Sequence, residues 1–140
     1  KKKKIILRNP NSIRPWQHVL EPLSGYLLLA EKLNKNKLNK IDQNWNFGPN
    51  ISNCKSVKYI ANYFAKSLKL EIKIAKNNSK DFKPETSYLR LSNYKARKVL
   101  KWHPRWSLNK SLNKILEWNN NAKSKGYKKV CEDQIKNYLS

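Results

Sequence analysis

The 140-residue chain has no methionine, three glycines, two cysteines and nine acidic residues. Each shortage excludes something. Gly25, Gly48 and Gly126 stand too far apart for a G-x-G-x-x-G or Walker loop, so no backbone cradle for a dinucleotide is encoded here. Cys54 and Cys131 form no C-x-x-C pair, and His18 and His103 are the only histidines, so the spacing of a structural zinc site is missing and no metal is expected. Two lone thiols suit a reducing compartment, here taken as the cytoplasm. No Ser/His/Asp or Cys/His set stands out, and the one adjacent carboxylate pair, Glu132-Asp133, lies in the tail; no catalytic residue is assigned. The longest apolar run, Tyr26 to Ala30, falls far short of the roughly 20 residues that span a bilayer. Lys1–Lys4 is followed only by Ile5–Leu7 before Arg8, which is no secretory signal. The missing methionine and a beginning inside a strand-like segment read as a piece of a longer protein, with 1–140 forming one portion of it.

What is abundant is positive charge. Lysine and arginine total 31, for a formal net charge of +22, while 39% of residues are hydrophobic, 11% are aromatic and five are tryptophan. That is too apolar for a disordered basic tail and enough for a core. Such a charge first suggests a nucleic-acid or polyanion binding module without catalysis. Yet lysine dominates, and arginine occurs only at Arg8, Arg14, Arg90, Arg97 and Arg105. Base reading relies on arginine forks, and the lysines are scattered along the chain. Lysine, asparagine and isoleucine share A/T-rich codons, which accounts for the composition without a polyanion partner.

Periodicity gives the elements. Ile5–Arg8 reads as a short strand and Asn9–Ser12 as a turn. Pro15 forbids a helix through 13–19. Pro22 suits a first helical turn, and Leu23, Tyr26, Leu27, Ala30 and Leu33 carry that helix to about Lys35. A polar loop covers 34–39. Asn44–Phe47 looks like a strand ended by Gly48-Pro49. Val57, Ile60, Ala61, Phe64, Ala65 and Leu68 predict an amphipathic helix. Leu70, Ile72 and Ile74 alternate as a half-exposed strand, 77–83 is a loop, Tyr88–Leu91 a strand and Tyr94–Leu100 a short helix. After the connector Trp102–Trp106, Ser107 caps a long helix ending near Gly126, and Val130–Leu139 is a last helix. Short strands alternating with helices give an α+β class, or the tail of an α/β fold.

Two patterns invite chemistry. Tyr94 and Lys98 have the Tyr-x-x-x-Lys spacing that puts a phenol beside an ammonium on adjacent turns; without a glycine fingerprint ahead of it, the pair reads as chance. More informative is Arg8–Pro22. Arg14 lies between Ile13 and the rigid Pro15-Trp16, and a planar guanidinium held in that way suits a fixed phosphate. Trp16, Gln17 and His18 add a flat face and polar groups. The bland reading of the same segment is a surface loop with one indole packed inward.

The string Ile6–Asn11 followed by Ile13–Ala30 resembles the start of the C-terminal portion of the CDP-glucose 4,6-dehydratases, members of the extended short-chain dehydrogenase/reductase superfamily of NAD-dependent epimerases and dehydratases. The likeness continues through Trp45–Asn50, Tyr88–Leu91, Lys95–Arg97, Leu100 and Trp102–Trp106. The Arg-Pro-Trp-Gln-His-Val-Leu-Glu-Pro run is its most specific part.

The resemblance implies the substrate-binding portion of such an enzyme, with helices and short strands, and with the N-terminal Rossmann domain absent from this chain. In the whole enzyme, NAD bound by that missing domain serves a lyase reaction from CDP-glucose to CDP-4-keto-6-deoxyglucose, a precursor for polysaccharide biosynthesis. Partners implied are the CDP-sugar, the missing Rossmann half and a second copy in a homodimer, with no membrane. The fragment alone is expected to be inactive. Carried over residue by residue, Arg14 matches the arginine that grips the diphosphate. Leu7 and Arg8 fall where the strand passes the base, Asn50 falls in a loop near the nucleotide, and Lys83 sits near a second diphosphate cation. With Trp16, Gln17 and His18 these form the candidate substrate set. Trp102, Trp106 and His103 are read as structural. Ser87, Ser92 and Lys101 depart from the family's usual His, Asp and Gly. The loss of Asp at Ser92 is expected to weaken a contact at the following helix. A degenerate, inactive fragment is the third alternative.

Overall fold

A computed structural model describes residues 3–35, 44–75 and 86–140. The loop read at 34–39 beyond Lys35, the loop read at 77–83 with Lys83, and Lys1–Lys2 lie outside the described residues. The element order is β1 (Lys4–Leu7), β2 (Ile13–Pro15), α1 (Leu20–Asn34), β3 (Cys54–Ser56), α2 (Val57–Leu68), β4 (Glu71–Ile74), α3 (Leu108–Lys125) and α4 (Tyr127–Leu139). The architecture is therefore mixed, helix-rich and short-stranded, in agreement with the expected α+β class.

Two small ladders organise it. β1 runs parallel to β4, with Lys4 opposite Glu71 and Leu7 opposite Ile74. β2 runs antiparallel to β3, with Ile13 opposite Ser56, Arg14 opposite Lys55 and Pro15 opposite Cys54. On the other edge of β2, the Ile13 N–H donates to the Ser87 carbonyl (2.8 Å), and Leu89 N–H returns to the Ile13 carbonyl (3.1 Å). The strand read over Tyr88–Leu91 is thus reduced to one bridge at Tyr88. Asn44–Phe47 joins no ladder among the described residues. Its apolar residues are used sideways instead: Phe47 is buried with Ala96, Leu100 and Trp102, and Trp45 packs against them.

α2 begins where Ser56 Oγ accepts from Tyr59 N–H (3.1 Å) and ends at Lys69 in the left-handed region. It lies against β1, β4 and α3. Ile60 joins Leu108 and Leu112 in a second core cluster, covered by Trp16, Tyr63 and Phe64. The cap read at Ser107 is present, its Oγ accepting from Lys110 N–H (3.3 Å). Gly126, at φ +82°, separates α3 from α4, which begins three residues earlier than the sequence pattern suggested. The helix read over Tyr94–Leu100 widens into a π-helical turn at Ala96–Leu100, closed by Lys101 in the left-handed region. Ala96 fills the close contact with α1 and is fully buried.

Candidate functional site

Tertiary structure divides the polar side chains into two groups. The first surrounds Glu21, in the first turn of α1, which is 1% exposed. Its Oε1 accepts from the Trp106 N–H (2.7 Å), and its Oε2 accepts from the Arg105 N–H (2.9 Å) and the Tyr138 hydroxyl (2.8 Å). Ser24 Oγ donates to the Glu21 carbonyl (2.7 Å) and accepts from Trp102 Nε1 (2.9 Å). Arg105 Nη1 holds the Tyr138 carbonyl (2.8 Å). One carboxylate thus fastens α1, the 102–106 connector and α4 together. Burial and the neighbouring Glu21 carboxylate push the Tyr138 phenol up to about 12, the Ser24 hydroxyl and Arg105 opposing. Burial holds the His18 imidazole below its ordinary value, with Glu21 opposing.

This arrangement accounts for several of the sequence candidates. His18 is buried; its Nδ1 accepts from Leu20 N–H (3.3 Å) and its ring lies 5.0 Å from that of Trp106. Trp16 donates Nε1–H to the Lys55 carbonyl (2.8 Å) and packs on the Ile60 cluster. Gln17 donates to the Phe47 carbonyl (2.8 Å). All three brace the segment between β2 and α1. Leu7 is buried and Arg8, just beyond β1, is exposed. Arg14 is half-buried, and its Nη1 donates to the Ile13 carbonyl (2.9 Å). Trp102 and Trp106 are buried as expected, whereas His103 is exposed.

The second group surrounds a cavity of about 650 Å³. Asn50 is the one sequence-predicted site residue in its wall. Arg90, Arg97 and Lys98 line it as well, and no carboxylate does among the described residues. Pro49, Ile51, Leu91 and Tyr94 give it apolar surface, and Cys54 closes one side. Arg14 is not part of this wall. In the β2–β3 register it shares a face with Lys55, while Cys54 and Pro15 occupy the other. Asn93 Nδ2 ties the cavity's two sides by donating to the Gly48 carbonyl (2.9 Å). Ser92, where the family usually has Asp, still receives Tyr94 N–H, at 3.4 Å.

The sequence reading missed the cavity's cations and Glu21. Tyr94, Arg97 and Lys98 follow i, i+3, i+4 spacing and so share a helical face, which was a usable signal. The Tyr-x-x-x-Lys pair is an aromatic–cation contact, with Lys98 Nζ 5.5 Å from the Tyr94 ring centre. No dinucleotide cradle exists among the described residues. A Cβ on Gly25 would lie 2.2 Å from the Phe47 ring, and one on Gly48 would lie 2.7 Å from Leu91, so both glycines serve internal packing. No cluster of metal-ligating side chains occurs among the described residues, and no described helix is long and apolar enough to cross a membrane.

No family model matches the chain. A structure of RMD from Pseudomonas aeruginosa complexed with NADPH superposes with a TM-score of 0.62 over 84% of this chain and 35% of that one. At 18% identity this is a likeness of fold. A CDP-glucose 4,6-dehydratase of Salmonella typhimurium is 41% identical over 114 residues, 81% of this chain. The chain spans 31% of that protein's length. The family resemblance carried by Arg14–Pro22 and the motifs after it therefore holds: over most of its length, this chain is similar to a CDP-glucose 4,6-dehydratase.

Proposed function

We propose that this chain is the sugar-nucleotide-binding portion of a CDP-glucose 4,6-dehydratase-like lyase of the extended short-chain dehydrogenase/reductase superfamily. The 41% identity to such an enzyme over 81% of the chain carries the reading. The complete enzyme would convert CDP-glucose to CDP-4-keto-6-deoxyglucose in the cytoplasm, in service of polysaccharide biosynthesis. The residues here do not fit NAD, because Gly25 and Gly48 are taken up by internal packing and Gly126 stands alone between α3 and α4, so no glycine-rich loop cradles its phosphates; within this reading the cofactor and the reacting groups belong to a Rossmann portion outside these 140 residues.

Within this reading Arg14 grips the substrate diphosphate. Its backbone is fixed by ladder partners on both edges of β2, which lowers the entropy lost when a guanidinium meets two phosphate oxygens. Arg8 and Leu7, at the end of β1, and Asn50 flank the nucleotide, with Lys83 as a second cation. Trp16, Gln17 and His18 contribute by holding β2 against the core.

The same reading supplies a cover for the outer face of α1. Leu23, Tyr26, Leu27 and Leu33 stand exposed there, Leu27 by 74%. An apolar stripe of that kind on a helix marks a contact surface. We assign it to the Rossmann portion, in an enzyme that is a homodimer when complete.

The test is Arg14→Ala in the complete protein. Loss of one charge-assisted contact, roughly 1.5–3 kcal/mol, predicts CDP affinity at least about tenfold weaker by calorimetry. Unchanged affinity removes Arg14 from the site. The 140-residue chain alone is expected to turn over no CDP-glucose.

A further inference from the structure

We infer that the cleft between His18–Leu20 and the facing sides of α3 and α4 binds a small, uncharged, flat molecule bearing a carbonyl oxygen, which accepts from the Nε2–H of His18. This inference does not rest on the substrate reading.

The cleft encloses about 420 Å³, within the range of small-molecule sites. Val19 and Leu20 form one wall, Ile115 and Trp118 of α3 a second, and Ile135 of α4 a third. The chain has 31 lysines and arginines, yet none of those described lines this cleft, and no described carboxylate does. An anion entering it would lose water and meet no opposite charge, which is costly. A neutral ring gains buried apolar area without that penalty.

The polar groups in the wall are few and their roles are fixed by their partners. His18 is 4% exposed. Its Nδ1 accepts from Leu20 N–H (3.3 Å), which places the proton of the neutral imidazole on Nε2. Burial holds the ring below its ordinary value, so it remains neutral near pH 7. The Nε2–H has no acceptor among the described residues, and His18 lines this cleft rather than the one beside Arg97. A buried donor in that state calls for an acceptor from outside the chain. Gln134 Nε2 donates to the Lys114 carbonyl (2.6 Å), and its Oε1 has no partner among the described residues. Trp118 Nε1–H is taken by Cys131 Sγ (3.3 Å), and its ring lies 5.7 Å from that of Tyr127. The indole therefore offers the cleft ring surface, on which another flat ring packs. One buried donor, one acceptor and an aromatic wall among aliphatic side chains suit a bicyclic lactam or ketone.

The experiment uses the complete protein and three bicyclic probes: oxindole, which carries a carbonyl, indane, which lacks it, and indole-2-carboxylate, an anion. By calorimetry, oxindole is expected to bind with a dissociation constant on the order of 1 mM or tighter. Location is read at Cys131, a free, exposed thiol in the cleft wall, with Cys54 as reference. At about twice its dissociation constant, oxindole is expected to slow alkylation of Cys131 by N-ethylmaleimide about threefold, read by peptide mass, and to leave Cys54 unchanged. Indane, without the hydrogen bond to His18, is expected to bind about tenfold more weakly and to protect negligibly at that concentration. Indole-2-carboxylate is expected not to protect. Ile135→Trp fills the cleft from an exposed position and should abolish the protection, the unchanged rate at Cys54 showing that the fold is intact. Val19→Trp, from the opposite wall and also exposed, repeats the test independently. Absence of protection by oxindole overturns the inference, as does protection of Cys54 in place of Cys131. Equal protection by indane or by the carboxylate overturns it as well, and so does protection that survives both tryptophan variants.

Discussion

Around Glu21, each carboxylate oxygen is met by donors from within the chain; around Arg97 and Lys98, three cations face a cavity with no carboxylate in its wall among the described residues. Both regions are polar and both lie at helix ends, yet they do different work. The Glu21 cluster joins residues up to 117 positions apart and leaves the acid 1% exposed. A buried charge is tolerable only with such complete pairing. The cavity's cations are open to water, so their folded-state cost is small and their interactions remain available. Where a polar group's partners lie within the chain, the group maintains the fold; where they do not, a ligand can supply them. By this criterion His18, through its Nδ1, and Trp16 group with Glu21, whereas Gln17 is met at its Nε2 and keeps a buried Oε1 without a partner among the described residues.

The strongest way to break the comparison is Glu21→Ala. It strands two backbone N–H groups and one phenol in the interior, and about 4 kcal/mol of stability should be lost. Urea unfolding with an unchanged midpoint would show that the cluster is not structural. Glu21→Gln keeps one acceptor oxygen and should cost less.

Alkaline pH sharpens it next. Tyr138 titrates at about 12 in the fold against 10.0 in the open chain. The stabilisation from its neutral form is complete below pH 10 and drains away as pH rises from 10 to 12, by about 2–3 kcal/mol at the end. Tyr138→Phe should flatten that limb of the stability profile. His18 acts in the opposite direction. Its folded value is depressed, so its contribution is whole above about pH 6.5 and falls as the solution turns acid below that point.

The smallest effect belongs to the cavity. Arg97→Ala with Lys98→Ala should move the melting midpoint within about 0.5 kcal/mol of the parent, as exposed positions do. A large loss would make these residues structural and erase the distinction.

How far the sequence foretold all this depends on how local each signal is. α2, the Ser107 cap and the Gly126 break were legible because their causes lie within four residues. β2 and β3 were not, because a three-residue strand exists only through partners some 40 positions away. Tyr94–Leu100 read as helical from its spacing; that spacing does not reveal the π widening at Ala96–Leu100, where Ala96 and Leu100 are buried. Arg14 drew attention by its rigid neighbours, but its neighbours in sequence do not reveal which face of a ribbon it takes. The register does, and it sets Arg14 opposite Cys54's side. Glu21 looked like one more helix-start acid, because Tyr138 and the 105–106 amides are remote in sequence.

The ladders are nested: 13–15 with 54–56 lies inside 4–7 with 71–74. On a ribosome, β1 emerges far ahead of the only described strand that can pair with it. The inner ladder can close first and shorten the outer loop, reducing its entropy cost. Glu21 waits longest, since Tyr138 is among the last residues of this stretch to emerge. Until then, a carboxylate destined for the interior keeps the nascent intermediate hydrated, and its final dehydration comes with the docking of the last helix.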